Sequence, residues 1–202
     1  MKPIDLAGFE AKFAANADPW STWSSRDEAV KRDAILHALP PGVQWRMLEL
    51  GAGNGSNSRP LAARALRLDA TEATGEGTRL VADAIARRGA RARAIRLAVP
   101  DALPRTRYDA IVVAELLYYL DRRGMATLAG QVARALRPGG TLVLAHHRIT
   151  FYDFVQHADR IHDRFLRQTG VEWEVRTTRR TGRWSVLACR VRAAAYGPPQ
   201  ED

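Results

Sequence analysis

The sequence predicts an α/β fold: a doubly wound, mostly parallel seven-stranded sheet with a helical lid segment before it and an antiparallel hairpin at its end. Three observations carry this. Apolar runs of strand length alternate with stretches of helix length from residue 46 to residue 145, the first run stops in three alternate glycines, and two strand-like runs flank a turn at Gly182. Strands joined in this way are parallel with right-handed crossovers, so a ligand belongs at their carboxyl ends.

Each element has its own signal. Ile4, Leu6, Phe9 and Phe13 give a short helix-like pattern within residues 4–18, and Asp18-Pro19-Trp20 breaks it, because a residue before proline avoids helical backbone. A second helix is expected over 26–39, with Ser24 or Ser25 as its cap and Glu28 in its first turn. Val30, Ala34, Ile35 and Ala38 face inward, and Pro40-Pro41-Gly42 ends it. Residues 1–42 thus form a lid segment ahead of the sheet, in which Trp20 and Trp23 either close over a ligand or anchor the segment. Strands follow at 46–50, 65–71, 92–97, 109–114 and 141–145, with helices at 59–65, 77–88 and 122–136. Pro100-Asp101-Ala102-Leu103-Pro104 joins the third strand to the fourth. A helix over 151–169 leads to strands 171–178 and 184–191, joined at Arg179-Arg180-Thr181-Gly182 and added antiparallel at the sheet edge. Residues 193–202 read as a disordered tail, which leaves 43–192 as the folded domain.

The 202 residues suit one domain with a single large core. No run of eighteen apolar residues occurs, so no membrane span is expected, and the acidic residues near the N-terminus do not fit a signal peptide. The expected location is the cytoplasm. Cys189 is the one cysteine, which excludes an internal disulfide, and its setting in a strand marks it as a core thiol. Against 22 acidic residues stand 31 basic ones, a net charge of +9, mostly arginine. The basic residues lie among alanines on helices without interleaved aromatics, so solvated helix faces account for them and nucleic acid is not the expected partner.

Met47 to Ser58 is the stretch that organises the chain. Gly51, Gly53 and Gly55 lack a Cβ, so the loop can take positive φ and let a ligand lie against its amides. A dinucleotide fingerprint would place the third glycine at position 56, where Ser56 stands; Gly55 comes one step early, and the loop is a poor pyrophosphate cradle. Glu49 would repel phosphate and suits a cationic or hydroxylated ligand. Glu72 closes the second strand, where a carboxylate can grip both ribose hydroxyls, and Asp101 follows the third at a position suited to an adenine amino group. Three acids after three successive strands, beside one glycine loop, describe a nucleoside site.

Leu-Glu-Leu-Gly-Ala-Gly-Asn-Gly (48–55), Val-Val-Ala-Glu-Leu-Leu-Tyr-Tyr-Leu (112–120) and Leu-Arg-Pro-Gly-Gly-Thr-Leu-Val (136–143) together resemble a class I S-adenosylmethionine-dependent methyltransferase. Such enzymes have a Rossmann-like sheet, and the resemblance covers roughly residues 43–192. Within the class, Asp18-Pro19-Trp20 and the fourth-strand run are similar to the nodulation protein S family of small N-methyltransferases. The resemblance implies S-adenosylmethionine as cofactor and S-adenosylhomocysteine as product. It places Glu49, Gly51, Ala52 and Gly53 along the methionine and ribose, Glu72 on the ribose, and Asp101 with Ala102 at the adenine, with Ala73 also among the cofactor-binding residues. Ala114 joins the set at the end of the fourth strand, and Trp20 and Lys31 lie over the methionyl end, where Lys31 can meet a carboxylate as a charge-assisted pair. His146-His147-Arg148 and the following helix depart from that family's pattern, so its aminosugar acceptor does not carry over.

Methyl transfer is an in-line displacement that needs alignment and a dry site. An amine acceptor must present a lone pair, and Glu115, ending the fourth strand, can hold it by charge or take its proton. His146, ending the fifth, is the other candidate base. Of Tyr118 and Tyr119, one packs and the other lines the acceptor pocket, and Tyr119 is the catalytic candidate. Each of these residues also has a purely structural reading. His157 and His162 stand five apart, which is not a metal-binding spacing, and no metal is expected. Arg160, Arg164, Arg167, Arg176, Arg179, Arg180 and Arg183 either favour an anionic acceptor or form solvated faces. The leading expectation is transfer to a small-molecule amine. An O-methyltransferase with His146 as base, an NAD-dependent oxidoreductase and a non-catalytic nucleoside-binding module are the alternatives.

Overall fold

The computed structural model describes residues 3–191. Helices α1 (Leu6–Ala15) and α2 (Arg26–Ala38) precede the sheet, each started by a side-chain cap from Asp5 and Ser25 respectively. Strand β1 (Gln44–Leu50) leads through the glycine loop to α3 (Ser58–Ala63), and β2 (Ala65–Glu72) to α4 (Gly75–Ile85), which continues as a 3-10 turn over Ala86–Arg91. Strands β3 (Ala92–Arg96) and β4 (Tyr108–Ala114) follow without a helix between them. Helix α5 (Arg122–Ala135), β5 (Leu136–His147), α6 (Ile161–Gln168), β6 (Trp173–Arg180) and β7 (Trp184–Val191) complete the described chain.

The sheet order is β3-β2-β1-β4-β5-β7-β6, parallel except for β7 and β6. Alternation along the central strands divides the core. Met47 and Leu68 face α2, α3 and α4, whereas Leu48, Leu50, Ile111 and Val113 face α5 and α6. Strand order reverses between β1 and β4, so Gly51 and Glu115 stand side by side at the carboxyl ends, where an open sheet of this kind leaves a crevice. Among the described residues no helix is long and apolar enough to cross a membrane.

Two expectations need correction. The helix expected over 151–169 is α6 alone. Residues 151–158 form a loop drawn onto the turn after β4, where the Val155 and Gln156 amides both donate to the Tyr118 carbonyl and Phe154 stacks on Tyr118 with centroids 3.6 Å apart. Amides bonded to that carbonyl are not available for helical bonds. Strand β6 starts and ends two residues later than expected, so the hairpin turn follows Arg180. The tail assigned to 193–202 lies outside the described residues.

Candidate active site

The loop after β1 takes left-handed backbone at all three glycines, φ +67° at Gly51, +62° at Gly53 and +81° at Gly55. Gly55 also has a packing duty. A Cβ there would sit 2.6 Å from the Cβ of Ala84 and 3.1 Å from the Val81 backbone, so this glycine lets α4 close on the loop. Glu72 is buried, and one of its carboxylate oxygens accepts from the Gly53 amide at 3.0 Å while the other accepts from the amide and hydroxyl of Thr74. Gly77 leaves the room for it, since a Cβ would come within 2.7 Å of the Glu72 side chain. The acid is thereby fixed against the loop with one lone pair left on the oxygen that meets Gly53, where it can accept from a ligand hydroxyl. Burial pushes its pKa up, against the opposing bonds from Thr74 and Gly53.

Glu49 lies beneath the loop, 1% exposed. Burial pushes its carboxyl up to about 8, with the Ser58 hydroxyl opposing and the Glu72 charge adding to the rise. Its Oε2 makes no hydrogen bond. An unpaired carboxyl oxygen buried beside backbone that lacks Cβ atoms fits a ligand bringing a positive group and hydroxyls, since a cation placed against it would favour its ionised form.

The lid segment is tied to this loop. Asp18 Oδ1 accepts from the Thr22 amide at 2.7 Å and from the Asn54 side-chain amide at 2.9 Å, and Asn54 also donates to the Ala17 carbonyl. The Phe13 ring tip lies 4.0 Å from where a Gly53 Cβ would be, and Trp20 packs edge-on against Phe13 and tilted against Phe9. Glu10 reaches across from α1 to accept from the Gly75 and Glu76 amides at 2.7 and 2.8 Å, at the start of α4. Beside it a cavity of about 240 Å³ is lined by Leu6, Ala7, Glu10, Ala73, Thr74 and Arg96. Trp23 packs instead beside Arg32 of α2. Asp101 and Ala102 are exposed in the β3–β4 connection, while Ala52 and Ala114 are buried at the strand ends.

Across the crevice, Glu115 adopts φ +52°, a conformation costly for a residue with a side chain. Its Oε1 takes the Lys31 ammonium at 2.7 Å, its Oε2 accepts from the Tyr118 hydroxyl, and His147 Nε2 lies 3.8 Å from Oε2. Lys31 is buried and meets Glu28 as well, at 2.8 Å. Burial acts to lower its pKa, and the Glu115 and Glu28 charges outweigh it, so the ammonium is held above the ordinary lysine range. In this structure Lys31 therefore serves Glu115, the pairing that sequence reasoning did not foresee.

His146 is corrected as a candidate base. It is fully buried, its Nε2 accepts from the Leu116 and Leu117 amides at 3.2 and 3.1 Å, and its Nδ1 lies 3.0 Å from His162 Nε2. An Nε2 that accepts two bonds leaves the proton on Nδ1, which donates to His162, and no lone pair remains for an acceptor molecule. Burial first, then the His162, Lys31 and His147 charges, pull its pKa far down, and burial alone lowers His162 to about 4. The neighbouring His147 occupies the crevice side and was missed, although strand alternation sends adjacent residues to opposite faces. Tyr118 is the packed tyrosine of its pair. Tyr119 is partly exposed, edge-on to Phe9 and Phe154 at 4.9 and 5.2 Å, and burial, with Asp153 and Glu115 adding, raises its phenol pKa, so it keeps its proton.

The family described as a methyltransferase domain matches residues 47–140. No curated protein matches the sequence. Among solved structures, the fold is similar to the N-methyltransferase NodS from Bradyrhizobium japonicum WM9 in complex with S-adenosyl-L-homocysteine, with a TM-score of 0.79 at 22% identity over 92% of this chain and 97% of that one. A S-adenosylmethionine-dependent methyltransferase from Leishmania major gives 0.74 at 17% identity, covering 90% and 80%. An O-methyltransferase family protein from Burkholderia thailandensis gives 0.70 at 16%, covering 93% and 63%.

Proposed function

We propose that the protein is a class I S-adenosylmethionine-dependent methyltransferase that transfers a methyl group to a small-molecule acceptor, to nitrogen in preference to oxygen. When bound, the cofactor supplies a methyl activated on sulfonium sulfur. Glu49, the Gly51–Gly53 backbone and Ala52 would line its methionine and ribose portion, Glu72 with Ala73 the ribose, and Asp101 with Ala102 the base. Trp20 would cover the site from the lid, and Ala114 would floor it. Glu49 Oε2, buried without a partner, is the observation that supports a cationic ligand here.

The acceptor side rests on one arrangement: Glu115, half-buried at the end of β4 and held by Lys31 and Tyr118, is the acid that reaches the crevice. A carboxylate fixed there attracts an ammonium and receives a proton as nitrogen becomes nucleophilic. Lys31 orients Glu115 in this reading, and Tyr119 walls the pocket. A hydroxyl acceptor is the second reading, and His147 beside Glu115 favours it, as an imidazole could take the hydroxyl proton. The test is transfer of labelled methyl to matched amines and alcohols. Turnover of amines, rising with pH as the amine loses its proton, supports the first reading; turnover of alcohols alone overturns it.

A further inference from the structure

The connection from β3 to β4 passes over β2 and β1 without a helix, and its apolar contribution to the α5 side of the sheet is small, chiefly Val99 and Leu103. A parallel crossover normally covers the sheet with a helix. A buried carboxylate stands where that cover is missing. Asp69, in the middle of β2 and 3% exposed, takes four hydrogen bonds from three other places in the chain. Arg93 of β3 donates to Oδ1 through Nε at 3.0 Å and Nη2 at 2.7 Å, Arg105 of the connection donates to Oδ2 at 2.9 Å, and the Tyr108 hydroxyl at the start of β4 donates to Oδ2 at 3.0 Å. Gln131 of α5 fixes the other end of the connection, donating to the Pro100 carbonyl at 2.7 Å.

We propose that Asp69 is a positioning residue for cofactor recognition: by clamping Arg105 and Tyr108 to the sheet it sets where the helix-free connection presents Asp101 and Ala102. This rests on the reading that Asp101 meets the adenine amino group. Asp101 is exposed, and it is held through its backbone: its amide donates to the Ala98 carbonyl at 3.0 Å, its carbonyl accepts from Gln131 at 3.3 Å, and the chain on either side is pinned at Pro100 by Gln131 and at Arg105 by Asp69. Asp69 itself contributes charge and direction. Removing it would leave the Arg93 and Arg105 charges and the buried Tyr108 hydroxyl without their acceptor.

The experiment compares binding of S-adenosylhomocysteine with S-inosylhomocysteine, in which a carbonyl replaces the adenine amino group, by calorimetry. The proteins are the wild type, Asp101→Ala, Asp69→Asn and Arg105→Gln. Arg105→Gln keeps Asp69 bonded to Arg93 and Tyr108, so it provides a folded variant if Asp69→Asn does not fold. The wild type is expected to prefer the adenine form by about tenfold, the size of one hydrogen bond to a charged group. Asp101→Ala should abolish that preference, and Asp69→Asn or Arg105→Gln should reduce it severalfold while the inosine form binds as before. A preference retained by folded Arg105→Gln, with only a lower melting temperature, would make the cluster purely structural and overturn the proposal. A preference that survives Asp101→Ala overturns it through Asp101, and a wild type that binds neither nucleoside overturns the cofactor reading beneath it.

Discussion

The two sides of the crevice are built differently. On the side proposed to hold the cofactor, Glu49, the three glycines, Glu72 and Thr74 lie within a few residues of two strand ends, and they bond mainly to one another and to nearby backbone. On the side proposed for the acceptor, Glu115 depends on Lys31, 84 positions earlier in the chain, Tyr118 on a loop that returns from β5, and His146 on His162. The sides also differ in protonation. Glu49 is driven to hold a proton near neutrality, while His146 and His162 are driven to refuse one. A site made locally can be read from a local pattern, and one made by distant contacts cannot.

The largest expected effect sharpens the local character of the cofactor side. Gly55→Ala adds a Cβ 2.6 Å from that of Ala84 on backbone at φ +81°. It should cost on the order of 3 kcal/mol by denaturant unfolding. Unchanged stability would mean that α4 and the loop are not packed as described.

Next comes a test of whether the two sides are separable. Glu115→Gln should lower kcat about a hundredfold, the usual scale of a proton-handling group, and leave S-adenosylhomocysteine affinity as in the wild type. If affinity falls with kcat, Glu115 belongs to the cofactor side and the comparison fails.

The protonation contrast predicts opposite pH trends. Glu49 has a folded pKa of about 8 against an unfolded 4.5, so the folded state binds the extra proton and stability falls as pH rises through that window. Glu49→Gln should remove this fall when unfolding is followed from pH 5 to pH 8. A parallel fall in the variant would assign it to another group. For His162 the sign reverses. Its folded pKa of about 4 lies below the unfolded 6.5, so stability is full above 6.5 and is lost as pH drops toward 4. His162→Gln should flatten that acid limb by the smaller amount expected with His146 still present, and a limb of unchanged slope would exclude the buried pair as its cause.

Much of the fold was legible because its signals are periodic. The five parallel strands, α2 with its Ser25 cap and the hairpin follow from alternation and capping residues. The stretch 151–169 is only partly helical, and nothing in its composition reveals that the Val155 and Gln156 amides turn to the Tyr118 carbonyl. In the site, the glycine loop and Glu72 were readable from position along their strands. His147 was displaced by its neighbour because both histidines end the same strand, and the face each takes depends on register. Asn54 and Glu10 carry no sequence signal for their contacts with Asp18 and with the start of α4, because those partners lie 36 and 65 positions away in the chain.

The most direct test of the account is calorimetric titration of S-adenosylhomocysteine into the wild type and Glu72→Ala. Micromolar binding that Glu72→Ala weakens about tenfold or more, the size of hydrogen bonds to a charged group, is the predicted result. No binding by folded wild-type protein, or equal binding by both, would contradict the cofactor side on which the rest of the account stands.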